Sequence, residues 1–221
     1  MKGQFPETIF LAAKEYLWLL SMSYPQKSSL KLVGDKYMLT RDMRQVLYRG
    51  ISAGQKAEAR KSRIGSVKTG ERVLIDTYNV LFTVNNYLLG RPLFICNDGM
   101  LRDAGEMRGR IVNKPLFSRS VALLLDILKD WPAAKYTHYL DEPIPFSGRL
   151  SIELSKDMVQ MGIEGEAFAV KSPDEVLIKT KCDAICTSDT AIIDRTGCKV
   201  IDLPFFLLQK YFQTEFPSLV L

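Results

Sequence analysis

Four short apolar runs of the sequence lead into aspartates: Asp76 closes VLID, Asp98 follows FICN, Asp141 closes THYLD and Asp189 follows AICTS. A fifth, Asp174, opens DEVLI shortly after AFAV. Aspartate is a preferred helix cap, so any one of them reads as a cap. Coincidence explains all five less easily. If the runs are strands of one open parallel sheet, their carboxyl ends share an edge, and ligands bind in the crevice there. Two carboxylates about 4 Å apart repel by about 4 kcal/mol at an effective dielectric near 20, and a divalent cation removes that repulsion. An all-oxygen donor set suits Mg²⁺ or Mn²⁺ rather than zinc. The substrate natural to such ions is a phosphodiester, because they ionise a water and stabilise charge on the attacking and leaving oxygens. His138 is the sole histidine, so acid-base chemistry by histidine has little to draw on.

The elements that must position these acids alternate. Strands are expected at 73–75, 92–96, 137–140, 167–170, 184–187 and 199–201, with helices near 77–89, 116–130, 148–161, 173–180 and 205–213. That rhythm specifies an α/β fold with a mostly parallel sheet covered by helices on both faces. Ahead of it, residues 8–22 form an amphipathic helix stopped by Tyr24-Pro25. A second helix follows Thr40, a plausible N-cap, with Met43, Val46 and Leu47 inward and Arg41, Arg44 and Arg49 available outward. The glycine-spaced basic stretch from Gly50 to Gly70 reads as a mobile linker or a phosphate-tracking arm. The sequence thus divides into a helical basic part, 1–70, and an α/β body, 71–221.

The 221 residues, 47% hydrophobic and 25% charged, exclude disorder, collagen and a disulfide scaffold. Charge-free runs such as 77–90 are too short to span a membrane, and no secretory signal is expected, which places the chain in the cytoplasm. Its four cysteines form no C-x-x-C pair and read as reduced thiols. Residues 1–72 hold 14 Lys and Arg against 6 Asp and Glu, whereas 73–221 hold 16 against 19. A basic appendage on a carboxylate-rich body suits a polyanion, nucleic acid first, although a solvated basic surface has the same composition. There is no P-loop and no G-x-G-x-x-G, so a nucleotide cofactor is not expected, and no G-x-S-x-G elbow occurs.

VLIDTYN (73–79) resembles the first strand of the PIN and NYN ribonuclease superfamily, SPDEVLI (172–178) resembles a later acid-bearing helix, and AICTSDTAIID (184–194) its late strand followed by Ser-Asp. The leading helical part resembles a prokaryotic domain of unknown function, number 434. The first resemblance covers about residues 71–205 and implies a three-layer α/β/α PIN-like domain that cleaves RNA with divalent metal. It implies Asp76, Asp174 and Asp189 as catalytic metal ligands, Asp141 as a fourth, and Asn79 as a group orienting Asp76 or a phosphate. Asp141 lies in LDEPIPFSGRL, whose prolines suggest a rigid loop at the rim.

The segment NDGMLRDAGEMRG (97–109) departs from that pattern. Asp98, Arg102 and Asp103 bind substrate there, or Arg102 pairs with Asp98. Ser188 and Thr190 either donate to a phosphate or cap a helix, and Asp194 is a further ligand or a surface acid. His138, Trp18 and Trp131 read as structural. Arg41, Arg44 and their basic neighbours would hold the RNA strand. The rival to a ribonuclease is a non-catalytic RNA-binding or adaptor protein whose acids are caps.

Overall fold

In the computed structural model, which describes residues 5–104, 111 and 113–220, five strands form one parallel sheet. They are β1 (Arg72–Asp76), β4 (Lys135–Asp141), β5 (Gly165–Val170), β6 (Ala184–Cys186) and β7 (Lys199–Ile201), in the order β5-β4-β1-β6-β7. Alternating side chains of β1 explain its central place. Val73 and Ile75 enter the large core with α5 (Thr77–Leu88), α6 (Lys114–Asp130), α7 (Ser147–Gln160) and α10 (Leu203–Phe212). Leu74 points the other way, to Leu177 of α8 (Pro173–Lys179) and Ile192 of α9 (Thr190–Arg195). The layering is α/β/α, as the alternation predicts.

The expected strand at 92–96 is real but belongs elsewhere. β2 (Leu93–Ile95) pairs antiparallel with β3 (Leu101–Asp103) in a separate hairpin. Its two faces serve two cores: Leu93 and Leu101 join the body, while Phe94 and Cys96 join the N-terminal helices. Gly99, at φ +83°, supplies the left-handed residue of the tight turn between the strands.

The N-terminal part holds α1 (Glu7–Ser21), α2 (Gln26–Lys36), α3 (Arg41–Gly50) and α4 (Gly54–Lys61). Thr40 caps α3 by accepting from the Met43 N–H. Ile9, Tyr16, Leu47 and Ile51 pack with Phe94 and with Leu219 near the C-terminus, so helices and body share a core. The mobile linker is corrected. Residues 54–61 are helical, and Gly65 then donates to the Val200 carbonyl alongside β7. Trp18, expected as a packing anchor, is 58% exposed, whereas Trp131 meets Phe206 edge-on.

Cys182 and Cys198, read as reduced thiols, are joined in a disulfide with Cα atoms 6.2 Å apart. Each lies just before one of two neighbouring parallel strands, and the register of Ala184 with Lys199 brings them together. Cys96 and Cys186 are buried free thiols. Among the described residues, no helix is long and apolar enough to cross a membrane.

Candidate functional site

All the parallel strands end at one edge, and the acids gather there. Asp76, the last residue of β1, is only 6% exposed. Burial pushes its carboxyl up to about 7, and the charges of Asp189, Asp174 and Asp141 push it the same way. Burial also raises Asp141 and Asp174, with Asp174 acting on Asp141 and Asp189 on Asp174. The four acids read from the sequence are therefore within electrostatic reach of one another, and the cation that opposes any of these shifts is Arg195, beside Asp174.

Thr187, absent from the sequence reading, holds the centre together. Its hydroxyl donates to Asp76 Oδ2 at 2.8 Å, and the Asp189 N–H donates to that hydroxyl at 3.1 Å. One side chain thus orients Asp76 and fixes the turn that carries Asp189. The expectation that Asn79 orients Asp76 is corrected. Asn79 Oδ1 accepts from the Ser188 N–H at 2.9 Å and from the Ser188 hydroxyl at 3.1 Å. Ser188 is accordingly engaged inside the protein rather than offered to a phosphate. Asn79 lines the wall of a cleft, and its amide nitrogen has no partner among the described residues.

Asp189 Oδ1 also accepts from the Ala191 N–H at 2.6 Å, capping α9 as aspartates after strands do. Among the described residues, no three His, Cys, Asp or Glu side chains are arranged to hold a metal ion together. The donors are hard oxygens and their mutual repulsion suits a divalent cation, but in this arrangement the ligand set is open.

Asp98 and Arg102 resolve to the pairing alternative. Both Arg102 terminal nitrogens donate to the Asp98 carboxylate at 2.8 Å, and Arg102 Nε donates to the Ser188 carbonyl at 2.9 Å. Asp98 is fully buried and also faces Arg60 at 3.3 Å, so it is closed to substrate. The hairpin tip is a joint, not a substrate loop: Asn97 bonds both backbone groups of Ser52, and Asp103 pairs with Arg49. The rest of the expected segment, 105–109, lies outside the described residues. Asp194, weighed as ligand or surface acid, is gripped by Arg60.

Some arginines of the basic part are likewise engaged inside the protein, while most of its lysines are exposed. Arg44 pairs with Asp35, donates to the Leu39 carbonyl and lies over Gly34, where any β-carbon would collide with its guanidinium. Arg63 donates to the carbonyls of Ile193 and Thr196. Arg41 remains on the surface at the start of α3. His138 is fully buried, its Nδ1 3.1 Å from the Thr77 hydroxyl, and burial lowers its pKa to about 3, so it stays neutral.

Between the helices and the body opens a cleft of about 880 Å³, walled by Tyr24, Tyr48 and Lys56 on one side and by Asn79, Asp189 and Thr190 on the other. It leads from the basic part to the acidic edge. Asp202 was missed, although KVID (199–202) repeats the pattern of VLID. It is buried at the end of β7, accepts from the Leu101 and Phe205 N–H groups, and serves structure rather than the cleft.

Residues 8–63 match a protein of unknown function family (DUF434), in agreement with the resemblance of the leading helices, and residues 66–205 match a domain of unknown function (DUF5616). Neither match is to a PIN or NYN ribonuclease. An uncharacterized protein of Methanocaldococcus jannaschii is 29% identical over 195 residues, covering 87% of this chain and 92% of that protein. No solved structure matches. With more than half of its length, and the whole acidic edge, inside the second match, the chain belongs to the DUF5616 family.

Proposed function

We propose that the protein is a metal-dependent ribonuclease of PIN-like architecture, acting in the cytoplasm. The observation that carries this reading is the buried Asp76, whose charge is opposed by Asp141 at the end of β4, Asp174 in the first turn of α8 and Asp189 at the start of α9. A structural role does not call for repelling carboxylates around a buried one, whereas a cation site does. Mg²⁺ or Mn²⁺ bound there supplies the ionised water and the charge stabilisation that phosphodiester hydrolysis needs. The chain's own contributions are positional. Thr187 sets the Asp76 carboxylate, Ser188 holds Asn79 so that its amide can donate to a phosphate oxygen, and Asp189, whose Oδ1 caps α9, would be one of the residues holding the cation. Lys56 and Asn79 line the cleft through which the RNA strand reaches the acids.

A second reading, a non-catalytic RNA-binding or adaptor protein, draws on the open ligand set and on Asp189 serving as a cap. Cleavage separates the two. With Mn²⁺ the full chain cuts single-stranded RNA, EDTA stops it, and Asp76→Asn lowers the rate at least 10²-fold, the scale of losing one preorganised charge-stabilising group. Intact RNA across varied substrates and metals establishes the adaptor instead.

A further inference from the structure

Phe146 is held in a conformation that its own helix does not ask for. It directly precedes α7 at φ +69°, where residues before a helix normally adopt extended backbone. The other non-glycine residues with positive φ, Ser23, Met38 and Gln213, all follow helix ends, where a left-handed residue is the usual stop. A phenylalanine in this region is strained, and strain of this kind persists only where the surroundings impose it. The loop does impose it. Pro143 and Pro145 stiffen it, Ile144 donates to the Asp141 carbonyl, Glu142 donates to the Val170 carbonyl, and the Ser147 hydroxyl returns to the Glu142 carbonyl. The outcome is an aromatic ring 74% exposed, with no ring partner among the described residues, five residues beyond Asp141.

The ring stands at the rim of a second groove, about 950 Å³, between α6 and α7. Tyr78 forms part of its inner wall and is 2% exposed, with a hydroxyl that has no hydrogen-bond partner. Lys114, Arg119 and Arg149 stand along the same groove with Asp126, Glu153 and Asp157, and Arg149 pairs with Glu153, so the groove carries both signs of charge. A rigid exposed aromatic at the rim of a groove whose wall holds a buried donor without an acceptor, beside the acidic edge of the proposed ribonuclease, is what a splayed-out nucleobase requires, since every base has a π-face and acceptors on its edge.

We propose that Phe146 is the stacking platform for one unpaired base of the RNA strand, and that this base enters the groove toward the Tyr78 hydroxyl. The inference rests on the ribonuclease reading and narrows its substrate to single-stranded RNA. Base pairing would hold the ring's partner inside the stack, so duplex RNA is refused.

The test measures affinity in Ca²⁺, without cleavage, using the full chain and a fluorescent single-stranded oligoribonucleotide. One abasic site is moved along the probe in successive oligonucleotides. Wild type loses roughly 5- to 150-fold in affinity at one position, Phe146→Ala loses the same amount on the intact probe and nothing further at that position, and Phe146→Trp restores binding. Phe146→Gly keeps or raises the melting temperature, because it relieves the backbone, while binding as poorly as Phe146→Ala. Unchanged affinity of Phe146→Ala for a probe that wild type binds overturns the platform and leaves the ribonuclease reading intact. A lower melting temperature for Phe146→Gly shows a packing role and overturns it as well. Failure of wild type to bind any single-stranded RNA, with cleavage also absent, overturns both.

Discussion

Arg60 of α4 grips Asp194 of α9 through paired hydrogen bonds of 2.6 and 2.7 Å, tying the last N-terminal helix to the helix that follows Asp189. Arg60 is 6% exposed and reaches Asp98 as well. Burial works against its charge, but the bonds to Asp194 and the charges of Asp194 and Asp98 outweigh that and raise its pKa. Removing one partner of a buried ionic network strands the others, at about 3 kcal/mol or more. Arg60→Ala is therefore expected to lower stability by about that amount in urea unfolding. Asp194→Ala, at a half-exposed carboxylate, should cost clearly less. Equal and small effects for both would place the joint elsewhere.

Much of this arrangement is legible from local pattern and some of it is not. A strand such as VLID announces itself because a strand buried on both faces must be apolar and must then stop, whereas THYLD shows itself by alternation of buried and half-buried residues. The parallel order and the shared acidic edge follow from alternation with helices. PLFIC has the same composition, yet it pairs with LRD in a hairpin because Phe94 and Cys96 belong to the helices' core, and nothing local in the sequence says which core a strand serves. The basic stretch 50–70 looks mobile for the same reason: Arg60 and Arg63 find their partners more than 120 residues away. Thr187 escaped because a threonine one residue past a strand is ordinary until Asp76 is seen 2.8 Å away.

The pH dependence of stability follows from the raised carboxyls. In the unfolded chain Asp76 titrates near 3.9, whereas in the fold its carboxyl is at about 7, and Asp202 is pushed up to about 6, chiefly by burial. Between about pH 4 and 7 the unfolded chain has released protons that the native chain keeps, so ionisation favours unfolding and stability falls as pH rises. Above pH 7 the loss is complete and the curve flattens. In EDTA, Asp76→Asn should be as stable as wild type near pH 4 and more stable at pH 8, by an amount on the order of 4 kcal/mol. A wild type that gains on the variant as pH rises would show that favourable contacts hold the Asp76 charge.

The disulfide between Cys182 and Cys198 closes a loop whose ends are 16 residues apart and which carries β6, Thr187, Ser188, Asp189 and α9. Closing a loop of that length is worth about 3 kcal/mol in the chain-entropy account. Reductant should lower the melting temperature, with the greatest rise in amide exchange at residues 184–195. Cys182→Ser should reproduce both effects and make the protein indifferent to reductant. A wild type with the same melting temperature and exchange in either redox state would remove the bridge from the argument.

Metal binding can be read without any turnover. A cation held by Asp76, Asp141, Asp174 and Asp189, as the proposed function requires, would bind the native chain and not the unfolded one, because the acids come within electrostatic reach only when β1, β4, β6 and α8 are assembled. At about 100 times its dissociation constant, Mn²⁺ should then add about 2.7 kcal/mol to stability. The gain should be larger at pH 8 than at pH 5, since below about pH 7 a proton on Asp76 competes with the cation. Asp189→Asn and Asp76→Asn should each remove most of it, whereas Asp194→Asn, whose carboxylate belongs to Arg60, should leave it in place. A cation that stabilises all three variants as it does wild type sits away from this edge. One that leaves wild type unmoved at millimolar concentration would turn the raised Asp76 into a buried structural acid and favour the adaptor.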